Sequence, residues 1–83
     1  MSSLKPCQLI VSNGSGSETF IRMLPTQPMR ILIKAMCDKW GISLSKCFFV
    51  LEKTGKIIDG DDTPNSLSIF QNDIIRVIKN PTN

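Results

Sequence analysis

Three cysteines, an acidic loop, a glycine-bearing turn and a lone tryptophan are the residues of this chain whose types could do chemistry. Cys7, Cys37 and Cys47 carry thiols, which act as nucleophiles or metal ligands when a base or further ligands accompany them. The chain has no His and no Tyr. The commonest general base and the commonest metal ligand are therefore missing. The cysteines are odd in number, lack CxxC spacing and sit inside apolar segments. They are expected to be buried, reduced thiols, which points to a reducing compartment, nuclear or cytoplasmic. Asp59, Asp61 and Asp62 are close together like a hard-cation loop, but the later Glu and the full ligand set are absent. A solvated loop in which Asp62 or Thr63 caps the next turn fits them better. Gly14 and Gly16 make no phosphate cradle, because no helix follows directly. Trp40 ends an apolar stripe and is expected to cover the core rather than stack on bases. No catalytic group, cofactor or metal is implied. The chain reads as a domain that binds rather than an enzyme.

The elements that position these residues are few. Eighty-three residues, 41% apolar and 20% charged, suffice for one small soluble domain. The net charge of +3 is a weak bias and not a nucleic-acid signature. It is uneven along the chain. Residues 1–46 carry six basic groups against Glu18 and Asp38, and residues 47–83 carry four against five acidic ones. No apolar run is long enough to span a membrane, and the first residues lack the apolar stretch of a signal peptide.

Residues 1–6 read as a polar leader and 80–83 as a polar tail, with one domain over 7–79. Residues 7–11 and 18–23 read as strands joined across Asn13-Gly14-Ser15-Gly16-Ser17, a hairpin. Pro25 to Pro28 breaks the second strand. Met29, Leu32, Ile33, Met36 and Trp40 then recur on one helical face, with Thr26 or Gln27 near the N-cap and Gly41 at the C′ position. Residues 47–51 form a strong strand, Ile57-Ile58 a short return strand, Leu67 and Ile69 the anchors of a helical turn, and residues 74–78 the last strand. Alternation directs Leu9, Val11, Ile21, Met23, Phe49, Leu51, Ile75 and Val77 toward the helix. It directs Ile10, Phe20, Phe48, Val50 and Ile78 outward, with Arg22 and Arg76 among them. Such an apolar outer face usually marks an interaction surface.

This order, ββαββ with an α+β architecture of one mixed sheet packed on one helix, resembles the ubiquitin-like β-grasp. The chain is most similar to SUMO and its relatives. Ser17-Glu18 through Gly41-Ile42 lies against SUMO without a gap. Phe49-Val50-Leu51-Glu52 resembles Phe-Leu-Phe-Glu, Asp62-Thr63-Pro64-Asn65-Ser66-Leu67 resembles His-Thr-Pro-Lys-Glu-Leu, and Asn72-Asp73-Ile74-Ile75-Arg76-Val77 resembles Glu-Asp-Val-Ile-Glu-Val. The chain ends Lys79-Asn80-Pro81-Thr82-Asn83 where mature SUMO ends in Gly-Gly. It therefore looks like the non-conjugated SUMO-like domains of the RENi family of genome-stability proteins, which act in DNA repair. The alternative is a SUMO-type modifier truncated before its Gly-Gly.

The resemblance implies a contact with a SUMO-pathway protein, the E2 conjugating enzyme foremost. Phe48, Glu52, Gly55 and Asp73 match the E2-facing positions, and SUMO's acidic run before the last strand is otherwise lost. It also implies a groove for an extended apolar motif at Ile21, Arg22, Met23, Leu32 and Met36, where an added strand would pair. The reading from a different class is a structural or self-association module that packs through the outer patch of Ile10, Phe20, Val50, Arg76 and Ile78.

Overall fold

The computed structural model describes residues 5–14, 16–69 and 71–79. The polar tail 80–83 and the first four residues of the leader lie outside the described residues. The chain runs β1 (Cys7–Ser12), β2 (Glu18–Met23), α1 (Arg30–Trp40), a 3-10 turn (Leu44–Lys46), β3 (Cys47–Leu51), β4 (Lys56–Ile57) and β5 (Asp73–Lys79). The five strands form one mixed sheet in the order β2-β1-β5-β3-β4, and α1 lies over one of its faces. Among the described residues, no helix is long and apolar enough to cross a membrane.

The hairpin expected around residue 14 is present. β1 and β2 pair antiparallel from Cys7↔Met23 to Ser12↔Glu18, and Gly14 and Gly16 both take positive φ in the turn. β1 also pairs parallel with β5, and β5 pairs antiparallel with β3. The last strand of the sequence thus occupies the middle of the sheet. The short return strand is Lys56–Ile57, one residue earlier than the Ile57-Ile58 expected. Ile58 itself turns into the core, its amide donating to the Phe49 carbonyl at 2.8 Å.

The inward set holds. Leu9, Val11, Met23, Phe49, Leu51, Ile75 and Val77 are buried with Met29, Leu32, Met36 and Cys37 beneath α1, while Ile21, Ile33 and Trp40 are half-buried against them. Leu67 and Ile69 are buried as anticipated. Their turn starts from a reciprocal pair, the Ser66 amide on Thr63 Oγ1 at 3.0 Å and the Thr63 amide on Ser66 Oγ at 2.9 Å. This is the capping-box arrangement with Ser in the position usually held by Glu.

The ends of α1 divide between expectation and correction. Gly41 does close the helix in the left-handed region, φ 65°, and Ile42 also donates to the Cys37 carbonyl at 2.9 Å. At the other end neither Thr26 nor Gln27 caps. Met29 is the N-cap residue and no side chain caps it. Instead the Met29 amide donates to the Asp62 carbonyl at 2.7 Å and the Arg30 amide to the Gly60 carbonyl at 3.1 Å. Backbone from the 59–62 loop thus satisfies donors that a helix start leaves open. Gly60 permits the approach, because a Cβ there would come within 3.2 Å of the Arg30 Cβ. Gln27 is used locally, its side-chain oxygen accepting from the Leu24 amide at 2.8 Å.

Candidate functional site

The outer face of the sheet is built by register. Ile10 lies opposite Phe20 on one side and Ile74 on the other. Val50 lies between Arg76 and Ile57, and Phe48 opposite Ile78. Opposed residues share a face, so Ile10, Phe20, Phe48, Val50, Ile57, Ile74 and Ile78 all stand on the side away from α1. Ile57 and Ile74 extend the apolar set beyond the residues read from the sequence. Phe20 and Ile57, at the two edges of the sheet, are 60% and 58% exposed, and the residues between them are partly shielded by one another.

The face is not uniformly apolar. Arg76 Nε donates to Glu52 Oε2 at 2.8 Å, and Glu52 extends β3, its amide bonded to the Ile74 carbonyl at 3.0 Å. This ion pair crosses the patch. On one side lie Phe20, Ile10 and Ile74. On the other lie Val50, Ile57, Phe48 and Ile78. Both partners are well exposed, so the pair contributes about 0–1 kcal/mol to the fold. It places two opposite charges amid apolar groups on a surface that a partner could desolvate.

The four residues matched to an E2-facing surface do not gather at one point. Glu52 and Gly55 lie at the end of β3 and in the turn after it, where the Gly55 amide donates to the Leu51 carbonyl at 2.8 Å with φ 74°. Phe48 lies on the same face as Glu52 but four residues away along β3, about 13 Å at strand rise. Asp73 pairs in register with the buried Leu9, which puts it on the opposite side of the sheet from Ile74. Asp73 bonds to Lys53 Nζ at 3.1 Å, and the same ammonium donates to the Ser68 carbonyl at 2.6 Å. Glu52 and Asp73 thus each face a cation of the same domain.

The motif groove is largely filled. Met23, Leu32 and Met36 are core residues, 4%, 1% and 3% exposed, so their side chains are packed under the sheet rather than lining an open channel. Ile21 is half-buried on the same side and Arg22 is exposed on the outer side. What the groove region offers is the outer edge of β2, which is the first strand in the sheet order. A different apolar groove flanks α1, lined by Pro28, Ile31, Ile33 and Leu44 with Arg30, Lys34 and Gly60. Leu44 is exposed, in the 3-10 turn that follows α1. The sequence signal for this groove is Ile31, an apolar helix residue outside the stripe of Met29, Leu32, Ile33, Met36 and Trp40.

The acidic loop is committed to internal bonds. Asp62 Oδ2 accepts from Lys56 Nζ and from the Asp59 amide, both at 2.9 Å. Asp59 accepts from the Asp61 amide at 3.2 Å, and Asp61 pairs with Arg30 at 2.7 Å. The Lys56 hydrogen bond first, and the Asp59 amide second, hold the Asp62 carboxyl below its usual range. A depressed carboxyl pKa means that the unfolded chain binds more protons. The contribution is therefore complete above the ordinary carboxylate pKa of about 4 and is lost as pH falls through the lower folded value. Asp62→Asn should lower the urea midpoint at pH 7, with the gap to wild type shrinking as both are titrated toward pH ~2. A gap that stays constant with pH would mean that the Asp62 charge is idle.

The cysteines correct one expectation. Only Cys37 is buried, while Cys7 and Cys47 are half-buried. The thiols of Cys37 and Cys47 lie 3.8 Å apart, one at the end of α1 and the other at the start of β3. No family model matches this chain.

Proposed function

We propose that this chain is a SUMO-like β-grasp domain that works by contact and not by catalysis. It recruits a SUMO-pathway protein, the E2 conjugating enzyme foremost, to a larger genome-maintenance protein in a nuclear or cytoplasmic, reducing setting. The observation that carries the reading is the outer sheet face, with seven apolar groups crossed by the Arg76–Glu52 pair. Apolar anchors beside paired charges suit a protein partner, because burial supplies affinity and the charges set register. The strand order, with parallel β1 and β5 at its centre, supports the β-grasp part of the reading.

The test is a titration of isotope-labelled domain with the E2 enzyme, followed by amide chemical shifts. Shifts at Glu52, Gly55, Ile74 and Arg76 are expected. An unchanged spectrum at high micromolar enzyme would discard the E2 as partner. The exposure of Phe20 and Ile57 at opposite edges of the same face favours a second reading, self-association through that face. Sedimentation velocity across a concentration series separates the two, since only self-association raises the mass of the domain alone. The modifier alternative is decided by whether Gly-Gly follows Asn83 in the gene.

A further inference from the structure

The two thiols that this fold brings together are those of Cys37 and Cys47. We propose that the two form an intramolecular disulfide under mild oxidation, which ties the end of α1 to the start of β3 and fixes the segment between them. Their sulfurs are 3.8 Å apart, and a disulfide brings them about 1.8 Å closer. Both thiols are free, and they lie on different elements joined by Gly41, Ile42 and the Leu44–Lys46 turn. Cys47 is the accessible member, half-buried at the mouth of β3, its thiol 3.5 Å from the Ser43 carbonyl. Cys37 is the shielded member, buried against the core.

The order of reaction follows from this asymmetry. Burial first, and contact with Cys47 second, push the Cys37 thiol up to about 11, which makes it a poor first nucleophile at neutral pH. With a low-molecular-weight disulfide such as oxidised glutathione, the Cys47 thiolate attacks one sulfur of the oxidant. The glutathione S–S bond breaks, one glutathione thiolate leaves, and a mixed disulfide remains on Cys47. The Cys37 sulfur, losing its proton to solvent, then attacks Cys47 and expels the second glutathione. Two protein thiols are oxidised, one disulfide is reduced, and two glutathione thiols carry away the electrons and protons. The closed loop carries Leu44, which lines the apolar groove beside α1, so oxidation holds one wall of that groove in place.

The experiment treats the whole chain, with Cys7→Ser to leave only the pair, with oxidised glutathione under native conditions, followed by intact mass and peptide mapping. The expected product has lost two hydrogens and yields a linked Cys37–Cys47 peptide, and its thermal midpoint rises by about 10 °C. In the same background Cys37→Ser should stop at one glutathione bound to Cys47, because the resolving thiol is gone. Glutathione retained on Cys47 with Cys37 intact, disulfide-linked dimers, or no change in mass would each overturn the proposal. A linked product with a lowered midpoint would overturn the claim that the bond fixes the native segment.

Discussion

Phe49→Ala should lower the unfolding free energy of this domain by about 3–5 kcal/mol, whereas Phe48→Ala, one residue earlier, should cost about 1 kcal/mol. The side chains are identical, so the contrast isolates the side of the sheet on which each lies. Phe49 is 2% exposed and belongs to the core with Leu51, Val77 and Met36. Its removal leaves a cavity that close-packed neighbours only partly fill. Phe48 stands on the outer face opposite Ile78 and loses only partial shielding. A domain of this size has a total stability on the order of 5–10 kcal/mol, so Phe49→Ala consumes a large part of it. Urea unfolding of the two variants measures the difference. Equal costs would mean that the faces have been assigned wrongly.

If the E2 enzyme docks on the outer face as proposed, Val50→Glu should raise its dissociation constant at least about 30-fold while leaving the fold in place. Val50 sits between Arg76 and Ile57 at the middle of the outer face. A carboxylate there competes with Glu52 for Arg76, whose Nε is already engaged at 2.8 Å. It also puts a charge where a partner would have to desolvate it. The side chain points away from α1, so the cost to folding is about 1 kcal/mol. Lys39→Glu, on the exposed side of α1, is the control and should leave the dissociation constant unchanged. Calorimetric titration with circular dichroism on each variant gives both readouts. If Val50→Glu binds like wild type, the outer face is not the docking surface. If it unfolds, Val50 is not an outer-face residue.

The strands and their inward residues could be read from alternation because each strand has one buried face, and a one-residue slip would turn Leu9, Phe49 and Val77 to solvent. Ile57 escaped because β4 has only two residues, too few to alternate. Ile74 follows from the same alternation that turns Ile75 and Val77 inward, although it was not among the outward residues named. The start of α1 could be read from Met29 onward but its cap could not, since the capping carbonyls belong to Gly60 and Asp62, some thirty residues on. Met23, Leu32 and Met36 show a different limit. The same apolar residue types serve a core and a groove, and packing alone separates the two uses. Likewise, nothing in the spacing of Cys37 and Cys47 indicates that the reversal after Gly41 brings their sulfurs together.

The place of β5 bears on how the chain becomes a sheet at all. β1 and β3 do not pair with each other, and each pairs with β5. On the ribosome the β1–β2 hairpin and the β3–β4 ladder therefore emerge as two separate half-sheets, each with an open inner edge. Only when residues 73–79 leave the exit tunnel can one strand close the gap. Until then the unpaired edges of β1 and β3 are templates for strands of other nascent chains. The sheet therefore becomes continuous only once β5 is available to pair with both β1 and β3. A chain stalled before residue 73 is the form most in need of a chaperone.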